Sequence, residues 1–191
     1  MNEQENLDKL LNECKSGNRV SFDILIRLYE KKVYRLCYRF FNNEDDALDA
    51  TQEVFIKVYN YISKFEGRSN FNTWLYKICS NTCITISDKK KREKAGLLGM
   101  ITDWFQSFTE KNPEEITINS IEQIHNKQIV SDCLSKIPEK YRMPIILKDI
   151  EGLSLESISE SLDVPVGTVK SRLNRGRTIL QEKILTTKGS N

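Results

Sequence analysis

The chain has 191 residues, a formal net charge of +2 and charged side chains at 29% of positions, so it is neither polybasic nor polyacidic and its charges matter through their placement. That length admits one domain or two small ones, each able to hold a helical core. Five cysteines without a CxxC pair, no signal-peptide core and no apolar run long enough for a bilayer exclude a disulfide scaffold and a membrane protein, and set the expected home as the reducing cytoplasm.

The N-terminal part reads as almost continuous helix. A short segment around Asn6 to Lys15 ends at Ser16-Gly17-Asn18, and Ser21 is placed to cap a long helix with the apolar stripe Phe22, Leu25, Tyr29, Val33, Leu36 and Phe40. Asn42-Asn43 breaks it. The next helix opens in an acidic block, Glu44, Asp45, Asp46, Asp49 and Glu53, with no cation inside it. It is expected to carry Leu48, Thr51, Phe55, Val58 and Ile62 to the same core, with Asp45, Asp49, Gln52 and Glu53 largely on another face. Acidic residues suit the dipole of a first turn; a block of this size also fits a basic partner.

Glu66-Gly67-Arg68-Ser69 reads as a loop, and Phe71 to about Ile86 as a helix carrying Trp74, Leu75, Ile78 and Ile84, ending in the basic run Lys89, Lys90, Lys91, Arg92 and Lys94. Opposite charges in the two blocks imply two differently charged partners. Cys79 and Cys83 sit one turn apart, but a tetrahedral metal site needs more ligands and His125 is the sole histidine. The cysteines therefore read as small buried hydrophobes, with no metal expected.

From Glu93 to about Asn119 the periodicity weakens, interrupted by Gly96, Gly99 and Asn112-Pro113, which marks 93–120 as a linker. Its apolar patch, Leu97 to Phe108 with Trp104 and Phe105, is unusual for a tether and either packs on itself or docks on a neighbour. A compact second domain follows: one helix from about Ile121 to Ile137, stopped by Pro138, and another from Glu139 to Ile150, closed by Gly152.

Leu153 to Arg177 then reads as two helices joined by a tight turn. Ser154 is a good N-cap with Glu156 in the first turn, and Ile158 and Leu162 make a stripe. Asp163 tolerates a left-handed conformation, and Pro165 presets the dihedral that starts the second helix. There Val166, Val169, Leu173, Gly176 and Leu180 fall on one arc and Gly167, Thr168, Ser171, Asn174, Arg175 and Thr178 on the opposite one, flanked by Lys170, Arg172 and Arg177. Such a helix fits the major groove. A basic amphipathic helix alone reads as core with a solvated face; the capped helix and turn before it favour DNA.

The expected fold is all-α, two small helical domains over 1–92 and 121–191, with no repeat and no strand pattern. With no Gly-rich phosphate loop and no catalytic constellation, neither a cofactor nor an enzymatic activity is expected.

Both halves resemble the extracytoplasmic-function group of bacterial sigma-70 factors, over nearly the whole chain. Asp46-Ala-Leu-Asp-Ala-Thr-Gln-Glu-Val-Phe55 resembles the D-A-x-D-x-x-Q-E-x-F signature of region 2, and Phe65-Glu-Gly-Arg-Ser-Asn-Phe-Asn-Thr-Trp-Leu-Tyr-Lys-Ile78 its F-x-G-x-S-x-F-x-T-W-L-Y-x-I stretch. Leu134-Ser-Lys-Ile-Pro138 and Pro165-Val-Gly-Thr-Val-Lys-Ser-Arg172 resemble region 4. Thr85-Ile-Ser-Asp88 departs from the aspartate and arginines that often follow in the family; the lysine run is placed to hold phosphates instead.

The resemblance implies a sigma factor that recognises -35 and -10 promoter elements and helps melt the latter. Asp45, Asp46, Asp49, Gln52 and Glu53 would meet the basic clamp helices of the polymerase beta-prime subunit, and region 4 the beta flap. Arg68, Ser69, Asn70, Asn72, Thr73, Lys77 and Asn81 would hold the unpaired -10 strand, with Phe65, Phe71, Trp74 and Tyr76 between them and Phe71 and Trp74 serving the core. Thr168, Lys170, Ser171, Asn174 and Arg175 would face the -35 element, leaving phosphate or intradomain contacts to Arg172 and Arg177. Family analogy adds an anti-sigma factor, often membrane-tethered. Two other functions fit parts of the sequence: a dimeric operator-binding regulator, and a nucleic-acid enzyme using the acidic cluster for a divalent metal.

Overall fold

A computed structural model describes residues 3–100 and 128–189, with side chains described over 5–93 and 128–187. No strand occurs among the described residues. The first unit comprises α1 (Glu3–Lys15), α2 (Arg19–Phe41), α3 (Glu44–Tyr61), a 3-10 turn (Ile62–Lys64) and α4 (Phe71–Met100). The second comprises α5 (128–135), α6 (Glu139–Ile145) widening into a π turn (Ile146–Ile150), α7 (Leu155–Leu162) and α8 (Val166–Gly189). The expected linker falls largely outside the described residues, as do His125 and most of the apolar patch, Trp104 and Phe105 included.

Side-chain chemistry at the ends sets the helix boundaries. Asn18, not Ser21, caps α2, its carboxamide oxygen accepting from the backbone of Val20 at 3.0 Å and Ser21 at 3.3 Å. Ser21 is buried one turn in, where its hydroxyl donates to Glu13 at 2.6 Å and ties α1 to α2. The Asn42-Asn43 pair divides the labour between two ends: Asn42 closes α2 in the left-handed region (φ 51°), and Asn43 opens α3 by accepting from the Asp46 backbone. Helix α4 runs past Ile86 to Met100, because the Lys-Arg-Glu run holds good helix formers and no breaker.

The core of the first unit is built from α2 (Phe22, Leu25, Val33, Leu36, Phe40), α3 (Ala47, Ala50, Val54, Val58) and α4 (Phe71, Leu75, Cys79, Cys83). Leu48 does not join it: the alanines let α3 approach closely, the buried stripe centres on them, and Leu48 stands 53% exposed. All five cysteines are buried free thiols, with Cys37 and Cys83 sulfurs 3.7 Å apart. The Cys83 contact lowers the Cys37 pKa, whereas those of Cys79 and Cys83 are raised, the first by burial and the second by the Cys37 contact.

In the second unit, Ile137, Met143, Ile146, Leu147, Ile158, Val169 and Leu173 pack together. Gly176 lets α8 close on α6, since a Cβ there would come within 2.8 Å of the Ile145 side chain and 3.2 Å of the Tyr141 carbonyl. Ser154 caps α7 by accepting from Ser157, and Asp163 ends it in the left-handed region (φ 53°). That is the turn expected between the two helices.

The units pack on each other through polar contacts around a shared apolar centre. Glu151, just after the π turn, accepts from Arg39 of α2 at 2.5 Å and from the Tyr76 hydroxyl of α4 at 2.8 Å. Burial first, then the Glu151 hydrogen bond, raises the Tyr76 pKa. Asn42 donates to Asp132 at 2.8 Å and accepts from Ser131 at 2.7 Å. Glu139 accepts from Ser87 and, at 2.6 Å, from Lys91; burial raises its pKa, but these partners outweigh burial and the net shift is downward.

Candidate nucleic-acid and polymerase interfaces

Helix α3 presents a mixed acidic and apolar face. Its exposed side includes Asp45, Asp49 and Gln52 together with Leu48, Ile56 and Tyr59, three large apolar side chains about half exposed. Glu53 lies at the margin, 3.4 Å from Lys57 one turn on. Asp46 is committed inside the unit, since it takes an ion pair from Lys90 of α4. The lysine run is thus partly spent on the protein itself: Lys90 faces Asp46, Lys91 faces Glu139 and Lys89 lies 3.9 Å from Glu93. Leu48, Ile56 and Tyr59 escaped the reading of charge alone; their signal is large apolar residues at helical spacing on the acidic side of the wheel.

The loop before α4 and the first turns of α4 form a cleft of about 200 Å³, lined among others by Lys64, Arg68, Ser69, Thr73, Trp74 and Lys77. A second hollow of about 260 Å³ shares Lys64, Trp74 and Lys77 with it and adds Tyr61, Ile78 and Asn81. Of the seven side chains expected at the -10 strand, Arg68, Ser69, Thr73, Lys77 and Asn81 line this continuous surface. Arg68 is highly exposed and paired with Glu66 at 2.5 Å. Asn70 is spent on the helix start, accepting from the Asn72 backbone at 2.9 Å, and Asn72 accepts from Lys32 at 3.2 Å.

Thr73 departs furthest from expectation: it is 7% exposed, covered by α7, and its carbonyl accepts from Ser161 at 3.2 Å. Phe65 and Phe71 are buried and form, with half-buried Trp74, a cluster of ring contacts between 5.2 and 5.7 Å. That cluster stiffens the loop that carries Arg68 and Ser69. Lys64 and Tyr61, which pair as cation and ring at 5.7 Å, were not among the expected contacts. A cation beside an aromatic at the end of α3 was the available signal.

On α8, Val169, Leu173 and Gly176 are buried, while Lys170, Ser171, Asn174 and Arg175 are exposed, Thr168 and Arg172 intermediate. A hollow of about 220 Å³ brings Lys170, Asn174 and Arg177 together with Lys148 from the π turn. Arg177 grips Asp149 through two nitrogens, at 2.5 and 3.0 Å, an intradomain contact that also raises its pKa. Arg175 lies beside the Tyr141 hydroxyl and lowers its pKa. Lys148 was also missed; its local sequence carries no mark, and only folding of the π turn brings it to α8.

Family models match each of the two helical units. The sigma-70 region 2 family model matches residues 25–93 and the sigma-70 region 4 model residues 127–180. The ECF RNA polymerase sigma factor SigW of Bacillus subtilis is 36% identical over 184 residues, covering 93% of this chain and 96% of that protein. The chain belongs to the ECF group of the sigma-70 family. As a sigma factor it directs RNA polymerase in transcription initiation.

The ECF sigma-E factors of Haemophilus influenzae and Escherichia coli K12 are both 33% identical, each covering 96% of this sigma factor and 98% and 97% of their own lengths. Among solved structures, CnrH in complex with the cytosolic domain of CnrY superposes with a TM-score of 0.64 at 20% identity, over 91% of this chain and 94% of that one. The sigma factor RpoE in complex with the anti-sigma factor NepR from Bartonella quintana gives 0.64 at 23%, over 85% and 96%. These two similarities bear on the fold. No helix among the described residues is long and apolar enough to cross a membrane.

Proposed function

We propose that this sigma factor divides its work among three surfaces on different elements. Asp45, Asp49, Gln52 and Glu53, with Leu48, Ile56 and Tyr59, take the basic beta-prime clamp helices of core polymerase; Asp46 supports this face through Lys90. Lys64, Arg68, Ser69, Lys77 and Asn81 hold the phosphates and edges of the unpaired -10 strand, beside Tyr61 and Trp74 on which bases stack. Lys170, Ser171, Asn174 and Arg175 read the -35 element in the major groove. The separation of the acidic α3 face from the two cationic surfaces is the observation that supports this most, because one chain can then hold a basic protein and DNA at once.

The same reading sets region 2 at 1–92, a linker at 93–120 and region 4 at 121–191. It makes the chain a specificity subunit without catalysis of its own, working in the cytoplasm. The anti-sigma factor NepR bound to RpoE supports a regulator of the same kind for this chain.

The test separates base reading from phosphate holding on α8. Arg175→Ala should weaken binding of polymerase holoenzyme to its preferred -35 sequence selectively, by a factor of roughly 10 to 100. Arg172→Ala should weaken all sequences alike and lower the slope of affinity against salt by about one. Equal losses on specific and random DNA for both variants would reject this division.

A further inference from the structure

Helix α2 carries an exposed apolar row that neither the core nor the three surfaces above use. Val20, Ile24 and Leu28 recur every fourth residue and stand 69%, 46% and 62% exposed, so they form one stripe along the helix rather than scattered surface residues. Arg27, Lys31 and Arg35, exposed and also four apart, run beside this stripe, and none of the three forms an ion pair among the described residues. Asp23 and Glu30 are exposed on α2 as well, but fall roughly 100° round the helix from the centre of this face. The face is therefore apolar and basic, and the partner it fits is apolar and acidic.

A surface of that kind exists on the chain itself. Helix α3 exposes Asp45 and Asp49, with Glu53 at the margin, again four residues apart, beside Leu48, Ile56 and Tyr59. Both charged rows climb about 6 Å per step, and an antiparallel pairing brings them into register. Setting Lys31 opposite Asp49 puts Arg27 opposite Glu53, Arg35 opposite Asp45 and Ile24 opposite Ile56, with Val20 next to Tyr59. None of these charge pairs forms within one chain, although α2 and α3 lie side by side with the Phe22 and Tyr59 rings 5.0 Å apart. The two helices pack through their buried sides and leave the charged rows outward. We infer that the α2 face of one copy docks on the α3 face of a second copy, so that the protein self-associates through this pairing. The association covers the α3 face; resting on the assignment of that face to the clamp helices, the associated form is withheld from polymerase.

Analytical sedimentation of the full-length protein alone reads this directly. The weight-average mass should rise above the 22.2 kDa of the monomer as concentration increases through the micromolar range, and the rise should shrink in about 1 M salt, which screens the charged rows. Reversing Arg27 and Lys31 to glutamate, or Asp49 and Glu53 to lysine, should each weaken association at least tenfold. An equimolar mixture of the two reversed proteins should restore it, because every α2 face then finds an α3 face of opposite sign on the other protein. A merely structural role for these residues gives no such rescue. Leu28→Ser, at an exposed site, shortens the apolar row without touching charge and should also weaken association, with circular dichroism unchanged. A wild type that stays monomeric up to millimolar concentration overturns the proposal. Association that survives both reversals, or a mixture that fails to restore it, overturns the pairing of α2 with α3. The Arg27 and Lys31 reversal keeps α3 intact and should still pull down core polymerase, so failure of the self-association and failure of the polymerase reading are seen separately.

Discussion

Reversing Asp49 and Glu53 to lysine is expected to abolish co-purification with core RNA polymerase while leaving the isolated protein folded. Asp49 is exposed on α3, and the only ion pair formed by Glu53 among the described residues is the one-turn contact to Lys57 at 3.4 Å. Reversal at position 53 sets two lysines a turn apart, which costs the helix only a few tenths of a kcal/mol, roughly 0.2 to 0.5. Against a basic partner the same change turns attraction into like-charge contact, a difference of several kcal/mol, or an affinity loss of about 100-fold or more. Leu48, Ile56 and Tyr59 beside these carboxylates deepen the effect, because an apolar surround excludes water from the charges once the partner is seated. Retained pull-down with unchanged circular dichroism would reject the α3 face as the polymerase contact.

Arg142→Ala should cost the fold roughly 3 kcal/mol, the largest loss expected from any single polar side chain here. Its guanidinium donates to the Phe40 carbonyl at 2.6 Å, to Ile137 at 2.7 and 3.1 Å, and to the Ser135 carbonyl, while lying 5.1 Å over the Phe40 ring. One planar fork thus serves the end of α5 and joins it to the end of α2. Burial lowers the Arg142 pKa and nearby Glu139 opposes that effect. Without the fork, carbonyls at a helix end are left without donors. Arg142→Lys should recover little, since an ammonium cannot span these acceptors. Urea unfolding reads both variants, and a loss below about 1 kcal/mol would contradict this role.

Much of the fold was legible because its signals are local. Asn42-Asn43, Ser154, Asp163 and Pro165 act on their own backbone, and the helices start and stop where those side chains require. Leu48 misled because a stripe traced through bulky residues continues through it, whereas the true buried line follows Ala47 and Ala50, whose small size marks close helix approach. Ser21 stands where the cap was expected, but Asn18, three residues earlier in the turn, fills the role because its oxygen reaches two backbone N–H groups. The basic run looked like an end and proved a continuation, since charge does not break a helix.

The candidate surfaces were legible as residue types in motifs, and less so as exposed chemistry. Nothing near Asp46 announced that Lys90 would hold it, and nothing near Thr73 announced that α7 would cover it. Arg39 and Glu151 are separated by 112 positions, Phe40 and Arg142 by 102, and neither pair carries a local signature. Contacts of that span arise only when the two helical units pack, which no periodicity along the chain encodes.

The most direct test of the whole account is transcription in vitro with purified core polymerase and this protein on a genomic DNA library, followed by sequencing of the RNA start sites. New start sites that depend on the protein and share two upstream elements near -35 and -10 are expected, with initiation lost in the Asp49 and Glu53 reversal. Start sites identical to those of core polymerase alone, with the protein binding duplex DNA unaided as a dimer, would contradict it.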